Sequence, residues 1–502
     1  MDGRTRRLGD GVLVETDDPV GLAAGLRALP ADDEPRPLDA IPGDGTVLVR
    51  GRRRLPDVLP HAQVQGREHV VPVVYDGEDL AGFGMPADEV VARHTRASYR
   101  VAFLGFSPGF AYLDGLDPAL HVPRLEAPRP SVPALSVAVA ADRTCIYPTA
   151  SPGGWRLLGR AIDVRLFDTA VEPPALFAPG DSVRFVAVRD RIATAASPLR
   201  AARPAVGVDV LDGGAQTVVV GRPRTGYAHL GVPWSGPLDP RCWRRANRLV
   251  GSHDDTPALE AVFRGPHLDL AGRRAAIVWP GGEVVTTDGD LRRLPAWRCW
   301  IAIEGGIAVD PVLGSCASDT LGGIGPAPLT TGDVLAVVTD DHEHIDGARP
   351  HPRRTRRSVY IPSAPIAAPP DDLVLALEPG PDVHLLDRVL GPWTVDAQAD
   401  RTAMRLTGDA QTHDAPTRTV GLVPGAVQLP PSGGPIVFLA GHPTTGGYPL
   451  VGWVRDAEAL YEAAQLRPGR TVTLAAARSV APRTPPSLSD LLPEQVRDVG
   501  GS

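Results

Sequence analysis

Short apolar runs separated by turns rich in Gly and Pro fill the chain between residues 69 and 190. The runs are HVVPVVY, YRVAFLGF, SVAVAA, AIDVRLF and DSVRFVAV. Their length and spacing are typical of a β-barrel or a β-sandwich. One segment, PADEVVAR at residues 86–93, instead favours a helix that begins near Pro86. We therefore predict a mainly β domain over residues 69–192 that contains one helix.

The pattern before residue 67 is of a different kind. GVLVE (residues 11–15) and GTVLVR (residues 45–50) have the composition of strands. PVGLAAGLRAL (residues 19–29) has apolar residues at helical spacing and follows two acidic residues, Asp17 and Asp18. These elements predict a small α/β domain over residues 1–66.

Two further β-rich regions follow, at residues 208–346 and 373–477. The first includes a predicted helix at residues 239–251, in which Asp239 suits the N-cap and Gly251 the C-terminal stop. Residues 193–207 have the composition of a linker, and residues 347–372 form a second connector that contains the arginine-rich HPRRTRRS. We expect the last segment, 478–502, to be a disordered tail.

Lysine is absent from the chain, so all 51 basic residues are arginine. This excludes a Walker-A loop that ends in Lys, a Schiff base to pyridoxal phosphate and a covalent biotin on this chain. A phosphate or carboxylate must then be bound by arginine, whose guanidinium suits bidentate contact, or by backbone N–H groups. The formal charge of −8 gives no reason to expect nucleic acid or an anionic membrane as a partner.

The bulk properties describe a folded protein of 502 residues, of which 43% are hydrophobic. The chain has no signal-like apolar core at its start and no apolar run long enough to span a membrane. Its cysteines form no C-x-x-C pair, which fits isolated thiols in a reducing cytosol. They are Cys145, Cys242, Cys299 and Cys316. We therefore expect a cytoplasmic protein.

The segment GFSPGF at residues 105–110 satisfies the G-x-S-x-G pattern of the hydrolase nucleophile elbow. That elbow uses the backbone N–H of the residue after the serine in its oxyanion hole. Here that residue is Pro108, which has no N–H and drives Ser107 towards an extended or turn conformation. We predict that GFSPGF is a rigid turn between strands and that Ser107 is not a nucleophile.

Polar side chains gather at the Gly/Pro turns of three other segments, at residues 128–160, 221–240 and 441–453. Tight barrel turns explain the Gly and Pro but not this clustering. In GHPTTGGYPLVGW, two threonines precede Gly-Gly, where successive N–H groups can bind an oxyanion. His342 and His344 in DHEHIDG lack a third His or Cys ligand nearby, so we expect a polar loop there and no metal site.

The same segments resemble known proteins. FLGFSPGFAYLDGLDP and RPSVPALSVAVAADRTCIYPTASPGGWRLLGR are similar to the B subunit of 5-oxoprolinase, also called allophanate hydrolase subunit 1 or Kip-type kinase inhibitor. GRPRTGYAHLGVPWSGPLDP, GGIAVDPVLGS, GAVQLPPSGGPIVFLAGHPTTGGYPLVG and AQLRPG resemble the C subunit, the biotin-dependent-carboxyltransferase-like or allophanate hydrolase subunit 2 family. The two matches cover residues 70–190 and 208–475, so the chain resembles a fused B–C protein.

The resemblance implies a fold and a reaction. The fold is mainly β, with tandem cyclophilin-like β-barrels: one in the B-like part behind a small ferredoxin-like α/β domain, and two related barrels in the C-like part. The reaction is the ATP-dependent opening of the 5-oxoproline lactam to glutamate, with a separate A subunit. ATP, with or without Mg2+, would bind through that partner. The substrate would be a small amide or lactam, and the oligomeric state stays open.

The family motifs also select candidate site residues. One polar cleft is expected between the two C-like barrels, formed by Arg222, Tyr227, His229 and Asp239 on one side, Thr444, Thr445, Gly446, Gly447 and Tyr448 on the other, and Arg401 as a weaker member. Catalysis would involve His229, Asp239, Thr444 and Thr445, and the other residues would bind substrate. A second cleft in the B-like part is expected to include His94, Arg129 and Tyr147, with Pro108 and Gly109 at its rim.

Several positions depart from the family patterns. Residues that are commonly Gly or Gln are replaced by Leu135, Ala138, Ala141, Arg143 and Cys145. Cys316 stands where Arg is common. These departures leave two alternatives open: the carboxyltransferase half of a urea-carboxylase-like system, with biotin carried by a partner, or a catalytically degenerate binding protein of the histidine-kinase-inhibitor type.

Overall fold

The computed structural model describes residues 5–29, 39–51, 55–56, 58–125, 129–189, 207–338, 366–416 and 418–479. Its α-helices are α1 (Pro19–Ala28), α2 (Ala87–Arg96), α3 (Pro240–Leu249) and α4 (Ala457–Ala463). The first three were predicted, and α4 was not. None of the helices in the described ranges combines the length and apolarity that a membrane crossing requires. The predicted linker, connector and tail lie almost wholly outside the described residues, as do His342 and His344.

The N-terminal unit is a four-stranded antiparallel sheet with one helix packed on it. Its strands are β1 (Thr5–Leu8), β2 (Gly11–Glu15), β3 (Asp39–Gly43) and β4 (Thr46–Arg50), in the spatial order β1-β2-β4-β3. The Asp18 carboxylate caps α1 by accepting a bond from the Gly21 N–H, and Leu22 and Leu26 face the sheet core. The described β-β-α-β-β order differs from the β-α-β-β-α-β order of the expected ferredoxin-like domain.

The B-like region forms a closed barrel, as predicted. Its strands are β5 (Glu68–Val74), β6 (Tyr99–Leu104), β7 (Ala111–Asp114), β8 (Arg129–Val132), β9 (Ser136–Ala140), β10 (Arg143–Ile146), β11 (Ser151–Gly153), β12 (Arg156–Ala161) and β13 (Ser182–Ala187). Seven of them close in the order β10-β7-β6-β13-β5-β12-β9, while β8 and β11 pair separately. Alternating apolar residues, among them Val71, Val101 and Val183, fill the interior.

The next region departs from the expected barrel. Its strands are β14 (Gly207–Asp212), β15 (Gln216–Val220), β16 (Ala258–Val262), β17 (His267–Asp269), β18 (Ala275–Trp279), β19 (Gly282–Thr286), β20 (Arg298–Ile303) and β21 (Val334–Ala336). Within residues 207–338 they form a three-stranded sheet, β17-β14-β21, and a five-stranded sheet, β15-β16-β20-β18-β19, neither of which closes. The two sheets still enclose one core, which includes Val210, Leu259 and Ile301.

The last region forms a second closed barrel. Its strands are β22 (Val374–Pro379), β23 (Gly391–Val395), β24 (Ala403–Thr407), β25 (Val420–Gly421), β26 (Ala426–Gln428), β27 (Ile436–Phe438), β28 (Thr445–Gly446), β29 (Leu450–Val454) and β30 (Thr471–Ala476). The barrel closes in the order β22-β29-β26-β27-β24-β23-β30. Its core is continuous with α3 and the five-stranded sheet, through Trp243 and Trp300. The two C-like halves are therefore one packed body.

Two of the unusual residues in the B-like barrel have a conformation that favours glycine. Leu135 has a φ of 64° and Ala141 a φ of 51°, and a side chain in this left-handed region costs about 1–2 kcal/mol. Ala138 and Cys145 lie opposite each other on β9 and β10, both fully buried. Their side chains fill the barrel wall rather than a ligand-facing surface.

We predict that Ala141→Gly stabilises the protein, because glycine removes the strain at an exposed position. The gain should be about 1 kcal/mol, visible as a higher thermal unfolding midpoint. Ala140→Gly is the matched control: Ala140 is buried on β9, so this change should lower the midpoint. An Ala141→Gly variant that melts below the parent protein would contradict the strain argument.

Candidate functional site

The segment Gly226–Leu238, which we name the central loop, lies where the N-terminal unit meets the C-like part. The carboxylate of Asp39 on β3 is fully buried. It accepts hydrogen bonds from the Gly226 N–H at 3.0 Å, the Ala228 N–H at 3.1 Å and the Trp234 Nε1 at 2.7 Å. Arg50 stacks 3.4 Å from the centre of a Trp234 ring. The N-terminal unit thus fixes the first half of the loop.

A second buried carboxylate fixes the end of the loop. Glu260 on β16 accepts a bond from the Leu238 N–H at 3.0 Å. The same carboxylate accepts from Arg298 Nη1 and Trp300 Nε1, each at 3.1 Å, and from Arg401 Nη1. Arg401, predicted as a weak member of the site, therefore holds the central loop in place and joins the five-stranded sheet to the second barrel.

Ser235, between these two anchors, has a strained backbone. Its φ of 54° lies in the left-handed region, which costs a non-glycine residue about 1–3 kcal/mol. Its neighbours hold it there: the Trp234 carbonyl accepts from the Arg224 N–H and the Gly236 carbonyl from Arg401 Nη2, both at 2.6 Å. The Ser235 hydroxyl is buried and has no hydrogen-bond partner. Strain and an unused hydroxyl at one residue are typical of a functional site.

GFSPGF forms the predicted turn, between β6 and β7, and it reaches across to the C-like part. The Phe106 N–H donates to Thr445 Oγ1 at 2.9 Å, and the Gly109 N–H donates to the Leu230 carbonyl at 3.0 Å. A Cβ on Gly105 would lie 2.1 Å from Thr445 Oγ1, so only glycine allows this approach. The turn is therefore a contact between the B-like and C-like parts.

The two threonines of the Thr-Thr-Gly-Gly segment have different environments. Thr445 is fully buried, and its hydroxyl accepts a hydrogen bond from the Phe106 N–H. Thr444 is equally buried, but its Oγ1 has no partner. Thr445 thus joins the two parts, whereas Thr444 keeps a hydroxyl that a ligand could use.

The residues after the threonines lie against neighbouring polar side chains. A Cβ on Gly446 would lie 2.5 Å from Gln428 Oε1, and one on Gly447 would lie 2.9 Å from an Arg124 guanidinium nitrogen. The same guanidinium lies 5.9 Å from the Tyr448 ring centre. The absence of side chains at Gly446 and Gly447 makes this close packing possible.

On the other side of the predicted cleft, Asp239, Arg222 and Tyr227 differ in whether their side chains are free to contact a ligand. Asp239 caps α3: it accepts from the Arg241 N–H at 2.9 Å and binds the Arg241 guanidinium. Arg222 is exposed, 3.8 Å from Asp255. Tyr227 precedes the short 3-10 helix Ala228–Leu230 and lies partly buried.

His229, on that 3-10 helix, is the exception. Its Nδ1 is buried without a partner. Burial lowers its pKa to about 3, and the Arg27 guanidinium acts in the same direction. The imidazole is therefore neutral at physiological pH. Ala228 and Trp234 share one apolar cluster with Leu422, Leu450 and Tyr448, so the central loop and the Thr-Thr-Gly-Gly region pack in the same part of the molecule.

Of the three residues predicted for a cleft in the B-like part, His94 lies apart from the other two. His94 is fully buried inside the barrel, with Nδ1 2.7 Å from the Tyr75 hydroxyl. Tyr147 lies in an aromatic cluster with Phe110. Arg129 binds Asp79 and partly faces solvent. Arg129 nevertheless lies near Tyr147: it pairs with Gly153 across β8 and β11, and a Cβ on Gly153 would lie 2.3 Å from the Tyr147 hydroxyl.

A cleft of about 590 Å3 opens between the N-terminal unit, the central loop, α3 and the second barrel. Its charged, polar and aromatic lining residues are Arg7, Asp10, Arg50, Trp234, Ser235, Trp243, Arg244, Trp453, Arg455 and Tyr461. His442 follows the lining residues Leu439 and Ala440 in the chain, and it is buried with an Nε2 that has no partner. Burial and then Arg50 lower the pKa of His442 to about 4.

The sequence did not single out Asp39, Glu260, Arg50 or His442 as site residues. A usable signal was present for the first two: each is a lone charge in an otherwise apolar strand, DAIPG and ALEAV. A charge in such a strand must be paired when the strand is buried. Among the described residues, no group of three His, Cys, Asp or Glu side chains is placed to hold a metal ion.

Comparison with known families agrees with this architecture. "Carboxyltransferase domain, subdomain C and D" matches residues 47–177, and "Carboxyltransferase domain, subdomain A and B" matches residues 230–300 and 291–476. The crystal structure of TTHA0988 superimposes with a TM-score of 0.75 at 35% identity, over 93% of this chain and 99% of that one. The fold class is therefore that of tandem β-barrels with carboxyltransferase-type subdomains.

Relatives of known name match the two parts separately. The 5-oxoprolinase B subunit of Escherichia coli O157:H7 is 39% identical over 205 residues, which are 36% of this chain and 94% of that protein. The 5-oxoprolinase C subunit of Escherichia coli K12 is 29% identical over 292 residues, 52% of this chain and 89% of that protein. Urea amidolyase of Saccharomyces cerevisiae is 25% identical over 296 residues, 52% of this chain but only 16% of that protein. The chain belongs to the family of fused 5-oxoprolinase B and C subunits.

We predict that acid destabilises the protein through its buried histidines. Burial lowers the pKa of His94 and His229 to about 3 and that of His442 to about 4, from 6.5. The unfolded chain then binds more protons than the folded one below pH 6.5. Above that pH the histidines do not lower the free energy of unfolding. As the pH drops towards the folded pKa values, the free energy of unfolding falls.

Thermal unfolding midpoints between about pH 7 and about pH 5 measure this effect. His94→Gln removes one titrating group while keeping a polar side chain near Tyr75, so its midpoint should fall less steeply with pH than that of the parent. Equal slopes for parent and variant would show that His94 does not contribute.

We predict that Thr445→Val weakens the contact between the B-like and C-like parts. Valine keeps the shape but leaves the buried Phe106 N–H without its acceptor, at a cost of about 1–3 kcal/mol. Thr445→Ser keeps the hydroxyl and should retain most of the stability. The measurement is the thermal unfolding midpoint, and a valine variant as stable as the serine variant would contradict the role assigned to this hydroxyl.

Proposed function

We propose that the chain is the fused B and C component of a 5-oxoprolinase-type amidohydrolase. It would act with a separate 5-oxoprolinase protein of the A type to open 5-oxoproline, or a related lactam or amide, at the expense of ATP. The observation that carries the proposal is the contact of GFSPGF with Thr445 and Leu230, at 2.9 and 3.0 Å. Motif segments that resemble two different subunits are thereby joined around the central loop in one chain.

The proposed reaction needs an activated amide, an oxyanion site and a positioned water. ATP would supply a phosphoryl group to the amide oxygen, which makes the ring carbon electrophilic. We assign ATP and its Mg2+ to the A-type partner, because a chain without lysine has no phosphate-binding loop of the Walker-A type. No covalent biotin is proposed for this chain.

The residues of this chain would complete the chemistry. The Thr444 hydroxyl, buried and without a partner, suits an oxyanion donor, since such donors act best where water is excluded. The neutral imidazole of His229, whose Nδ1 has no partner, suits a group that hydrogen-bonds the attacking water and positions it. Asp239 and Thr445, which the sequence also suggested for catalysis, are proposed instead to hold α3 and the loop contact in place.

The unusual residues of the B-like barrel do not argue against activity. Ala138 and Cys145 are buried in the barrel wall, and Leu135 and Ala141 have a positive φ of the kind that glycine favours. We therefore prefer an enzyme component to the degenerate binding protein of the kinase-inhibitor type.

A carboxyltransferase role is the second candidate. It is favoured by the matches to carboxyltransferase subdomains and to part of urea amidolyase. In that case a partner protein would carry biotin. Capture of a biotinylated carrier, and carboxyl transfer from carboxybiotin to urea or a similar amide, would support this candidate against the amidohydrolase.

The test is reconstitution of the full chain with its cognate A-type partner, followed by measurement of ATP hydrolysis that depends on 5-oxoproline. Thr444→Val should lower kcat by about 100- to 1,000-fold, as expected for loss of an oxyanion donor, with an unchanged thermal midpoint. Thr471→Val, an exposed threonine on β30, is the matched control and should behave as the parent. No 5-oxoproline-dependent hydrolysis by the parent complex would refute the proposed function.

A further inference from the structure

We infer that the 590 Å3 cleft binds a small carboxylate carried on a planar or apolar ring. This inference rests on the proposed function for its choice of probe, 5-oxoproline. The sequence motifs did not point to the cleft, because its charged lining residues lie outside them.

The charge of the lining favours an anion. Of the four arginines that line the cleft, Arg50 is neutralised by a two-pronged pair with Asp10, at 3.1 and 2.8 Å. Asp10 is the one acidic residue of the lining. Arg7 is exposed on β1, and its Nε makes a 3.3 Å bond to the Gly9 carbonyl that leaves the other guanidinium nitrogens for a ligand. Arg244 forms an ion pair with Asp255 at 3.7 Å, and Arg455 forms one with Glu378 at 4.0 Å.

The walls of the cleft favour a ring. Trp234, Trp243, Trp453 and Tyr461 line it together with Leu238 and Leu460. Indole and phenol faces bind flat apolar groups by stacking and by burial of apolar area. The volume is within the range of about 300–1,000 Å3 that small-molecule sites occupy. A ring with one negatively charged substituent therefore fits both the aromatic walls and the arginines of the cleft.

Ser235 supplies the hydrogen bond that would orient such a ligand. It lines the cleft, it is only 5% exposed, and its hydroxyl has no partner. Its backbone is held on both sides by the bonds to Trp234 and Gly236. A buried donor held rigidly in this way loses little entropy when it binds a carboxylate oxygen, and it leaves an unsatisfied group when no ligand is present.

A carboxylate fits the lining better than a phosphate. Phosphate sites commonly use free N–H groups at the start of a helix. α3 begins at the cleft with Pro240, but the N–H groups of Arg241 and Cys242 already bond Asp239, at 2.9 and 3.5 Å. The donors that remain are the Arg7 guanidinium and the Ser235 hydroxyl, and a carboxylate offers each of them an acceptor oxygen.

The experiment is a titration of the full chain alone, without the A-type partner or turnover. Binding of 5-oxoproline is followed by tryptophan fluorescence, since three tryptophans line the cleft, and by calorimetry. We expect saturable binding that weakens at least tenfold in Arg7→Ala and in Ser235→Ala. Arg6→Ala is the matched control: Arg6 is exposed on the same strand but does not line the cleft. Thermal midpoints check that each variant is folded.

2-Pyrrolidinone, which has the same ring without the carboxylate, should bind at least tenfold more weakly than 5-oxoproline. Absence of 5-oxoproline binding, equal effects of Arg6→Ala and Arg7→Ala, or Arg7-dependent binding of ATP in place of 5-oxoproline would each overturn the inference. Because the titration needs no A-type partner, binding without ATP hydrolysis in the reconstituted complex would refute the proposed function and leave this inference standing.

Discussion

Two buried carboxylates, Asp39 and Glu260, determine how the units of this protein fit together. They come from different units, and each accepts hydrogen bonds from the same central loop. A buried carboxylate without partners is strongly unfavourable, so each unit reaches its final state only when the loop is in place. The loop in turn is shaped by these two anchors rather than by a regular element of its own.

The loop connects every part of the molecule that bears a family motif. Its first half contacts the GFSPGF turn through Leu230, and its second half is held by Arg401 of the second barrel. Trp234 contributes to the apolar cluster that the N-terminal unit and the second barrel share. The strain at Ser235 results from this arrangement. The carbonyl of Trp234 accepts from the backbone N–H of Arg224, and the carbonyl of Gly236 accepts from the Arg401 guanidinium. The polar residues of the candidate site therefore owe their positions to contacts between units.

Sequence patterns predicted the local structure well. Short apolar runs between turns predicted a barrel or a sandwich, the family resemblance predicted barrels, and residues typical of helix ends located α1 to α3. α4 was not predicted, because its seven residues are too few to show a clear helical period of apolar residues. Whether the strands of residues 207–338 close into a barrel depends on edge pairing, which leaves no mark on the apolar pattern. The two sheets there share a core without joining at their edges.

The candidate site was less predictable than the fold. Motif residues such as His94, Tyr147 and Asp239 have the chemistry of catalytic groups, but the structure uses them in packing and capping. Their partners are residues distant in the chain, and sequence spacing cannot show which polar groups stay unpaired. His229 and Thr444 were predicted from the sequence, but only the hydrogen bonds of the structure show that they, like Ser235, have unpaired polar atoms.

The Asp39 contacts also have a consequence for biosynthesis. The Gly226 amide that binds this carboxylate follows it by 187 positions in the chain. At a translation rate of about 10 residues per second, the donor leaves the ribosome about 20 s after the carboxylate does. During that interval the nascent N-terminal sheet presents a charged strand beside exposed apolar residues. Because the two parts are fused, the loop that bonds Asp39 is synthesised on the same polypeptide. The carboxylate does not depend on an encounter with a separate subunit.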